Sequence, residues 1–239
     1  GAIVGAWISG RFGRRVASGT AAALLVISGA LMAGSANLPM FFATRCIGGL
    51  GCGIVQSNTP IYMSEISPPH TRGFLVGFHP VMVVMGEIVA SSAALGFNFV
   101  SASYQWRLNF CIQTFFAVAF LVSLFFIPES PRWLMLKGRE EEASKIMYRL
   151  HKSKHDPQGH IPRAELLQVK AQIEADSKVP GGWLQIFREP HLRKRAMCTL
   201  LVWTMGMNTG ITVISNLTPT LFAGLGYNSN LQLSLGLVF

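Results

Sequence analysis

The chain has 239 residues, half of them hydrophobic, and Asp, Glu, Lys and Arg together supply only 13%, against about 25% in an ordinary soluble domain. The formal net charge of +9 would point to nucleic acid if it were spread over one surface. It is confined instead: no Asp, Glu, Lys or Arg occurs from Val16 to Thr44, Cys46 to Ser64, Ile88 to Gln105, Leu108 to Pro128 or Ala196 to Phe239. One buried core could explain one such run but not five in series, which excludes a soluble domain.

A helix needs about 20 apolar residues to cross the hydrocarbon. In lipid the backbone must satisfy its own polar groups, so the runs predict membrane helices. Gly1 to Ser9 reads as the tail of a span descending to the cytoplasm, because as a helix it would be only about 14 Å long. Arg11 to Arg15 form a tight basic turn, and the next span rises from Val16 to about Gly34. Another descends from about Phe41 to Met63. Its Gly48, Gly49, Gly51 and Gly53 include a small-xxx-small pair, Gly49 and Gly53, suited to close helix packing in lipid. The cluster follows no strand and lacks the Lys-Ser/Thr of a phosphate-binding loop.

The following span, Gly73 to about Phe97, is interrupted by Pro80 and Glu87, and the next descends from Trp106 to Ile127. From Pro128 to Arg195 the chain turns polar, with Trp133, Leu134, Ala143, Ile146, Met147 and Leu150 at helical spacing and Glu141 and Lys145 as an i,i+4 pair. Two further short helices are expected, Arg163 to Ser177 and around Trp183 to Arg188. A last full span rises from Ala196 to about Ala223, and Leu231 to Phe239 begins another. The count is five complete spans with a partial one at each end. The four cysteines lie in spans without metal-ligand spacing.

The loops at Gly10 to Arg15, Glu65 to Arg72 and Pro128 to Arg195 hold 18 of the 20 Lys and Arg, and the intervening loops hold none. That alternation is the positive-inside pattern, so the basic loops, residues 128–195 included, are expected in the cytoplasm. Arg45 and Glu87 are the charges well inside spans. A charge at that depth is costly unless it faces a wet or paired environment, which makes both functional candidates.

Several ordered motifs then line up. Gly5 to Arg15, GAWISGRFGRR, is similar to the loop signature G-x-x-x-D-R-x-G-R-R of the major facilitator superfamily. Arg45 opens R-x-x-G-G-x-G-x-G, and Pro60 to Gly73 fits P-x-Y-x-S-E-x-S-P-x-x-x-R-G. Pro128 to Leu134 reads PESPRWL, and Trp106-Arg107 also fits. The chain resembles the sugar porters of that superfamily, of fungal type, over its whole length.

The resemblance implies an all-α membrane protein: twelve helices in two halves around a central cavity that opens alternately to either side. This chain then carries about helix 2 (tail) to helix 8 (start), the first helix being missing. Residues 1–127 belong to the N-terminal bundle, 128–195 to a cytoplasmic helical linker, and 196–239 to the start of the C-terminal bundle. Arg14, Arg15, Glu65, Arg72, Glu129 and Arg132 would form ion pairs closing the cytoplasmic side. Gly10 replaces the acid of the loop signature and removes one partner. In proton-coupled relatives the arginine at the position of Arg45 pairs with an acid on the first helix, so Arg45 and Glu87 are coupling candidates.

A sugar needs groups that both donate and accept hydrogen bonds. Where the family places Gln after the His of the fifth helix, His79 is followed by Pro80. The two glutamines of the seventh helix are absent from the stretch that begins Gly206-Met207, its Asn is Thr212 and its tyrosine pair is Asn216-Leu217. Pro80, Val84 and Glu87 share one helix face. These positions, with Gly206, Met207, Thr212 and Asn216, form the expected substrate cavity.

The expected function is transport of a sugar or sugar-like solute, with or without a coupled proton. The alternatives are a porter for a glycoside, polyol or organic acid, and a nutrient sensor that does not transport. No nucleophile, metal or cofactor constellation appears, so neither an enzyme nor a cofactor is expected. The expected partners are the solute, a proton and the lipid bilayer, not nucleic acid, and the expected site is the plasma membrane.

Overall fold

The computed structural model describes residues 1–98, 102–151, 160–177, 189–208 and 210–226. All the regular structure among them is helical, in two compact units, Gly1–Lys170 and Ala171–Phe239. The first unit opens with α1 (Ala2–Phe12), α2 (Arg14–Ala33), α3 (Leu38–Ile66), α4 (Arg72–Phe97) and α5 (Ala102–Ser123). Of the expected basic turn only Gly13 leaves the helical path, at φ 104°, so α1 and α2 meet across a single residue. α3 begins after an extended Asn37 with proline in its first turn, and ends at an extended Ser67 before Pro68. Both boundaries are proline-dictated.

Among the described residues, four helices are long and apolar enough to cross a membrane: Arg14–Ala33, Leu38–Ile66, Arg72–Phe97 and Tyr104–Ser123. The span expected from Gly73 to about Phe97 is α4, which runs unbroken through Pro80 and Glu87. Proline removes one backbone hydrogen bond, which a long membrane helix tolerates, and glutamate is an ordinary helix former.

α2 is the packing centre, bearing on α1, α3 and α5. Ala17 and Ala21 are fully buried against Ile54, with Ile8, Leu24 and Val55 around them. Small residues set the spacing. A Cβ at Gly29 would meet Thr114 Oγ1 at 2.5 Å, and one at Gly51 would meet the Ala21 carbonyl oxygen at 3.1 Å. Gly53 faces Gly1 and Gly48 faces Ser28 in the same way, but Gly49 has nothing within 4 Å, so the glycine stripe packs through Gly48, Gly51 and Gly53 rather than the expected Gly49 and Gly53 pair. α4 has no buried residue.

After α5 come α6 (Pro131–Leu136), α7 (Glu140–His151) and α8 (His160–Ser177). Ser130 caps α6 by accepting from the Trp133 N–H, and Pro131 fills the first helical turn. Trp133, Leu134 and Ala143 close a small core joined by Met135 and Ile146. Three glutamates start α7, and Arg149 and His151 end it, as the helix dipole favours. α8 begins three residues before the expected Arg163. The expected helix at Trp183 to Arg188 and the run Leu231 to Phe239 lie outside the described residues.

In the second unit the expected single span from Ala196 to Ala223 is instead two helices, α9 (Pro190–Asn208) and α10 (Ile211–Gly224). Gly210 between them is left-handed at φ 74°, a conformation that ends a right-handed helix and that glycine adopts without a Cβ penalty.

Replacing Gly29 by Val should lower the thermal stability of the full-length protein in detergent, since forced overpacking costs about 1–3 kcal/mol. Gly49→Ala, facing open space, should leave the melting temperature unchanged. Equal effects of the two would contradict this packing.

Candidate gate at the basic ends of the helices

The expected gate residues divide into a connected cluster and outliers. Arg14, in the first turn of α2, meets Glu65 near the end of α3 in a two-pronged pair. Nε donates to Glu65 Oε2 and Nη2 to Oε1, both at 2.8 Å. The Arg14 and Glu65 side chains are only 13% and 8% exposed. The planar fork of arginine matches a carboxylate in this way, and lysine does not. Arg14 Nη1 also donates to the Ser9 carbonyl oxygen at 3.0 Å, and Ser130 Oγ donates to Glu65 Oε2 at 2.6 Å. Ser130 thus caps α6 and binds Glu65 at once.

Glu129 binds backbone N–H groups. Its Oε1 accepts from the backbone N–H groups of Arg14 at 2.9 Å, Arg15 at 3.2 Å and Ser130 at 2.9 Å. A carboxylate at a helix start meets unpaired N–H groups and the positive end of the helix dipole. Gly13 makes the approach possible, because a Cβ there would lie 2.4 Å from Glu129 Oε2. So α2 begins on a carboxylate supplied from the far side of α5.

Residues unforeseen in the sequence complete the cluster. Asn58, 1% exposed, donates to the Arg14 carbonyl oxygen at 2.9 Å and to Ser18 Oγ at 2.8 Å, and accepts from Ser9 Oγ at 2.7 Å. Tyr62 donates to the Pro128 carbonyl oxygen at 2.6 Å. Trp133 Nε1 donates to the Gly10 carbonyl oxygen at 3.1 Å. Gly10 therefore contributes a backbone acceptor where the signature has an acid. Tyr62 and Trp133 stand inside the motifs already quoted, and Asn58 is a polar residue in a charge-free run.

Arg15 joins this cluster through its backbone N–H, which Glu129 accepts, and the surroundings of the other expected residues differ. The Arg15 side chain donates to the Phe125 carbonyl oxygen at 3.5 Å, and that of Arg72 to the Ser67 carbonyl oxygen at 3.4 Å. Arg132 is half-buried in the first turn of α6. Arg45 lies over the rings of Phe41 at 5.6 Å and Phe110 at 5.9 Å, and no carboxylate among the described residues pairs with it. Pro80, Val84 and Glu87 are exposed on α4, and Gly206 is exposed on α9. Met207, Thr212 and Asn216 have side chains outside those described. A cavity of about 610 Å³ beside the cluster is lined by Arg15, Leu121, Glu129, Trp133, Arg139 and Ile146 among others, and by none of the expected substrate positions.

The family described as Sugar (and other) transporter matches residues 1–239, and the chain belongs to it. It is 31% identical to the MFS-type transporter criB of Aspergillus cristatus, over 100% of this chain and 52% of that protein. It is 27% identical to the galactose-proton symporter of Escherichia coli K12, over 100% of this chain and 49% of that one. Among solved structures, the proton:xylose symporter XylE bound to 6-bromo-6-deoxy-D-glucose superposes with a TM-score of 0.83 at 27% identity, covering 98% of this chain and 52% of that one. The chain spans about half the length of the relatives it matches. It is an all-α integral membrane protein with part of the major facilitator fold.

Glu129→Ala should strip the three N–H groups of their acceptor and cost about 1–3 kcal/mol. That loss is readable as a lower melting temperature of the full-length protein. Glu129→Gln, which keeps Oε1, should recover most of it, and equal losses would contradict the capping role.

Proposed function

We propose that the full-length protein carries a sugar or sugar-like solute across the plasma membrane by alternating access. On this reading the Arg14–Glu65–Ser130 cluster, with Glu129 capping α2, holds the cytoplasmic side closed. The observation that carries this is the buried two-pronged pair between the ends of α2 and α3, bound in turn by the residue that starts α6. Any separation of these ends must break several charge-assisted bonds together, and such a cluster biases a two-state element far more than one surface pair does. The names of the relatives, a galactose-proton symporter and a proton:xylose symporter, support a sugar and a coupled proton.

The same reading takes the three regions of the chain as N-terminal bundle (1–127), cytoplasmic linker (128–195) and start of the C-terminal bundle (196–239). Arg14, Glu65, Glu129 and Ser130 are the core of the gate, and Arg15, Arg72 and Arg132 its basic surround. Pro80, Val84, Glu87, Gly206, Met207, Thr212 and Asn216 line the substrate path, and Arg45 and Glu87 are the residues assigned to proton coupling. The loss of the usual amide side chains favours a solute other than a simple hexose, such as a glycoside or polyol.

Glu65→Gln in the full-length protein should raise labelling of cysteines from the cytoplasmic side, and Arg132→Ala should act in the same direction. Unchanged labelling in Glu65→Gln would remove the gate from this account. Glu87→Gln should change the apparent affinity for the solute or the pH dependence of its uptake. If the variant reaches the membrane and both stay as in the parent, Glu87 is a packing residue.

A further inference from the structure

His151 is the last residue of α7, and its side chain is only 3% exposed. Nδ1 lies against Glu165 Oε2 on α8. Nε2 lies 2.7 Å from the carbonyl oxygen of Ile66, the last residue of α3 and the neighbour of Glu65. One ring therefore touches both linker helices and the end of the helix that carries the gate acid.

Both neighbours of the ring are acceptors, and a neutral imidazole has a single N–H. The two contacts are complete only while the pair holds one further proton. Either an imidazolium faces the carboxylate, or a neutral imidazole donates through Nε2 and accepts at Nδ1 from the carboxylic acid of Glu165. The proton belongs to the pair, whichever side carries it. Without it, one contact is lost whichever tautomer forms: the Nδ1 lone pair faces the carboxylate, or the Nε2 lone pair faces the Ile66 carbonyl oxygen, in a buried place where unpaired polar groups are costly. Glu165 Oε1 is already buried without a hydrogen-bond partner among the described residues, so this carboxylate has no second bond to hold it.

Among the described residues, the charges around the ring are these. On α3, Glu65 is occupied by Arg14. At the start of α4, Arg72 donates to the Ser67 carbonyl oxygen. On α7 and α8, Arg149 and Arg163 are exposed. Positive charge is favourable at the carbonyl end of α3, which is the negative end of the helix dipole. Lys170 and Glu140 join α8 to α7 at a second point, 2.9 Å apart, so the two linker helices stay linked if the ring lets go of α3.

We infer that His151 and Glu165 are positioning residues for the gate: sharing a proton, they tie α7 and α8 to the end of α3 beside Glu65, and the tie loosens when the proton leaves. The inference rests on reading the Arg14–Glu65 cluster as a gate. Its sign follows from linkage. The tied state binds the proton, so acidification favours the tied, closed arrangement, and rising pH favours release.

The test places nitroxide labels at Lys145→Cys on α7 and His70→Cys in the turn after α3, both exposed positions. The full-length protein carries them in lipid nanodiscs on a background without its own cysteines. Pulsed electron resonance reads the distance at about pH 5 and about pH 9. The parent should show one short distance at the lower pH and gain a longer component at the higher. Glu165→Gln is the decisive variant. Its amide can donate to Nδ1 while Nε2 donates to Ile66, so it should keep the short distance at both pH values. His151→Leu should show the longer component at both. A parent distance that ignores pH, or a Glu165→Gln variant that behaves like His151→Leu, overturns the inference. If instead the gate reading is wrong, the labels still respond to pH while Glu65→Gln leaves cytoplasmic labelling unchanged.

Discussion

A guanidinium and a carboxylate withdrawn from water must find each other, and the first unit of this chain is arranged around one such meeting. Arg14 and Glu65 are each almost covered, and removing one partner of a buried pair costs about 3–5 kcal/mol because the other charge is left stranded. The pair therefore contributes less as a source of stability than as a constraint. Where it exists, the starts of α2 and α6 and the end of α3 have one permitted arrangement. Everything near it serves that geometry. Asn58 holds the Arg14 carbonyl, Ser9 and Ser18 satisfy Asn58, Ser130 takes the remaining approach to Glu65, and Glu129 fixes the N–H groups from which Arg14 projects.

The small residues of α2 and α3 are the counterpart of this polar end. Ala17, Ala21 and Gly51 allow backbones to approach closely along the length of the helices, which in lipid depends on packing rather than on a hydrophobic driving force. The closely packed stretch fixes where the ends must fall, and on the proposed reading the charged end decides whether they stay together. A rigid wall with a breakable clasp at one end is what a two-state element requires.

Much of this was legible in the sequence, and the reasons differ by element. The apolar runs marked the helices because bilayer thickness sets their length. The motifs carried Arg14, Glu65 and Glu129 because each sits at a helix end, where the spacing is short and fixed. What stayed hidden depended on partners distant in the chain. Glu129 was expected to pair with a side chain, yet it binds backbone N–H groups across a bare Gly13, which no spacing rule displays. Arg72 matched its motif as well as Glu65 did, but it caps its own turn instead. The break at Gly210 was missed because hydropathy is blind to a single left-handed residue. Asn58 and His151 offered no periodic signal at all, since their roles come from three or more separate segments converging on one side chain.

The central claim is that the Arg14–Glu65 contact itself, rather than either charge alone, holds the basic ends of α2 and α3 together. An exchange of the two charges tests it most directly, read as labelling of a reporter cysteine from the cytoplasmic side of the full-length protein in sealed vesicles. The account predicts that Arg14→Glu and Glu65→Arg each raise labelling, and that the doubly exchanged protein returns most of the way to the parent, a coupling that only directly interacting residues produce. Additive effects, with the double variant at least as open as the two single variants combined, would contradict it.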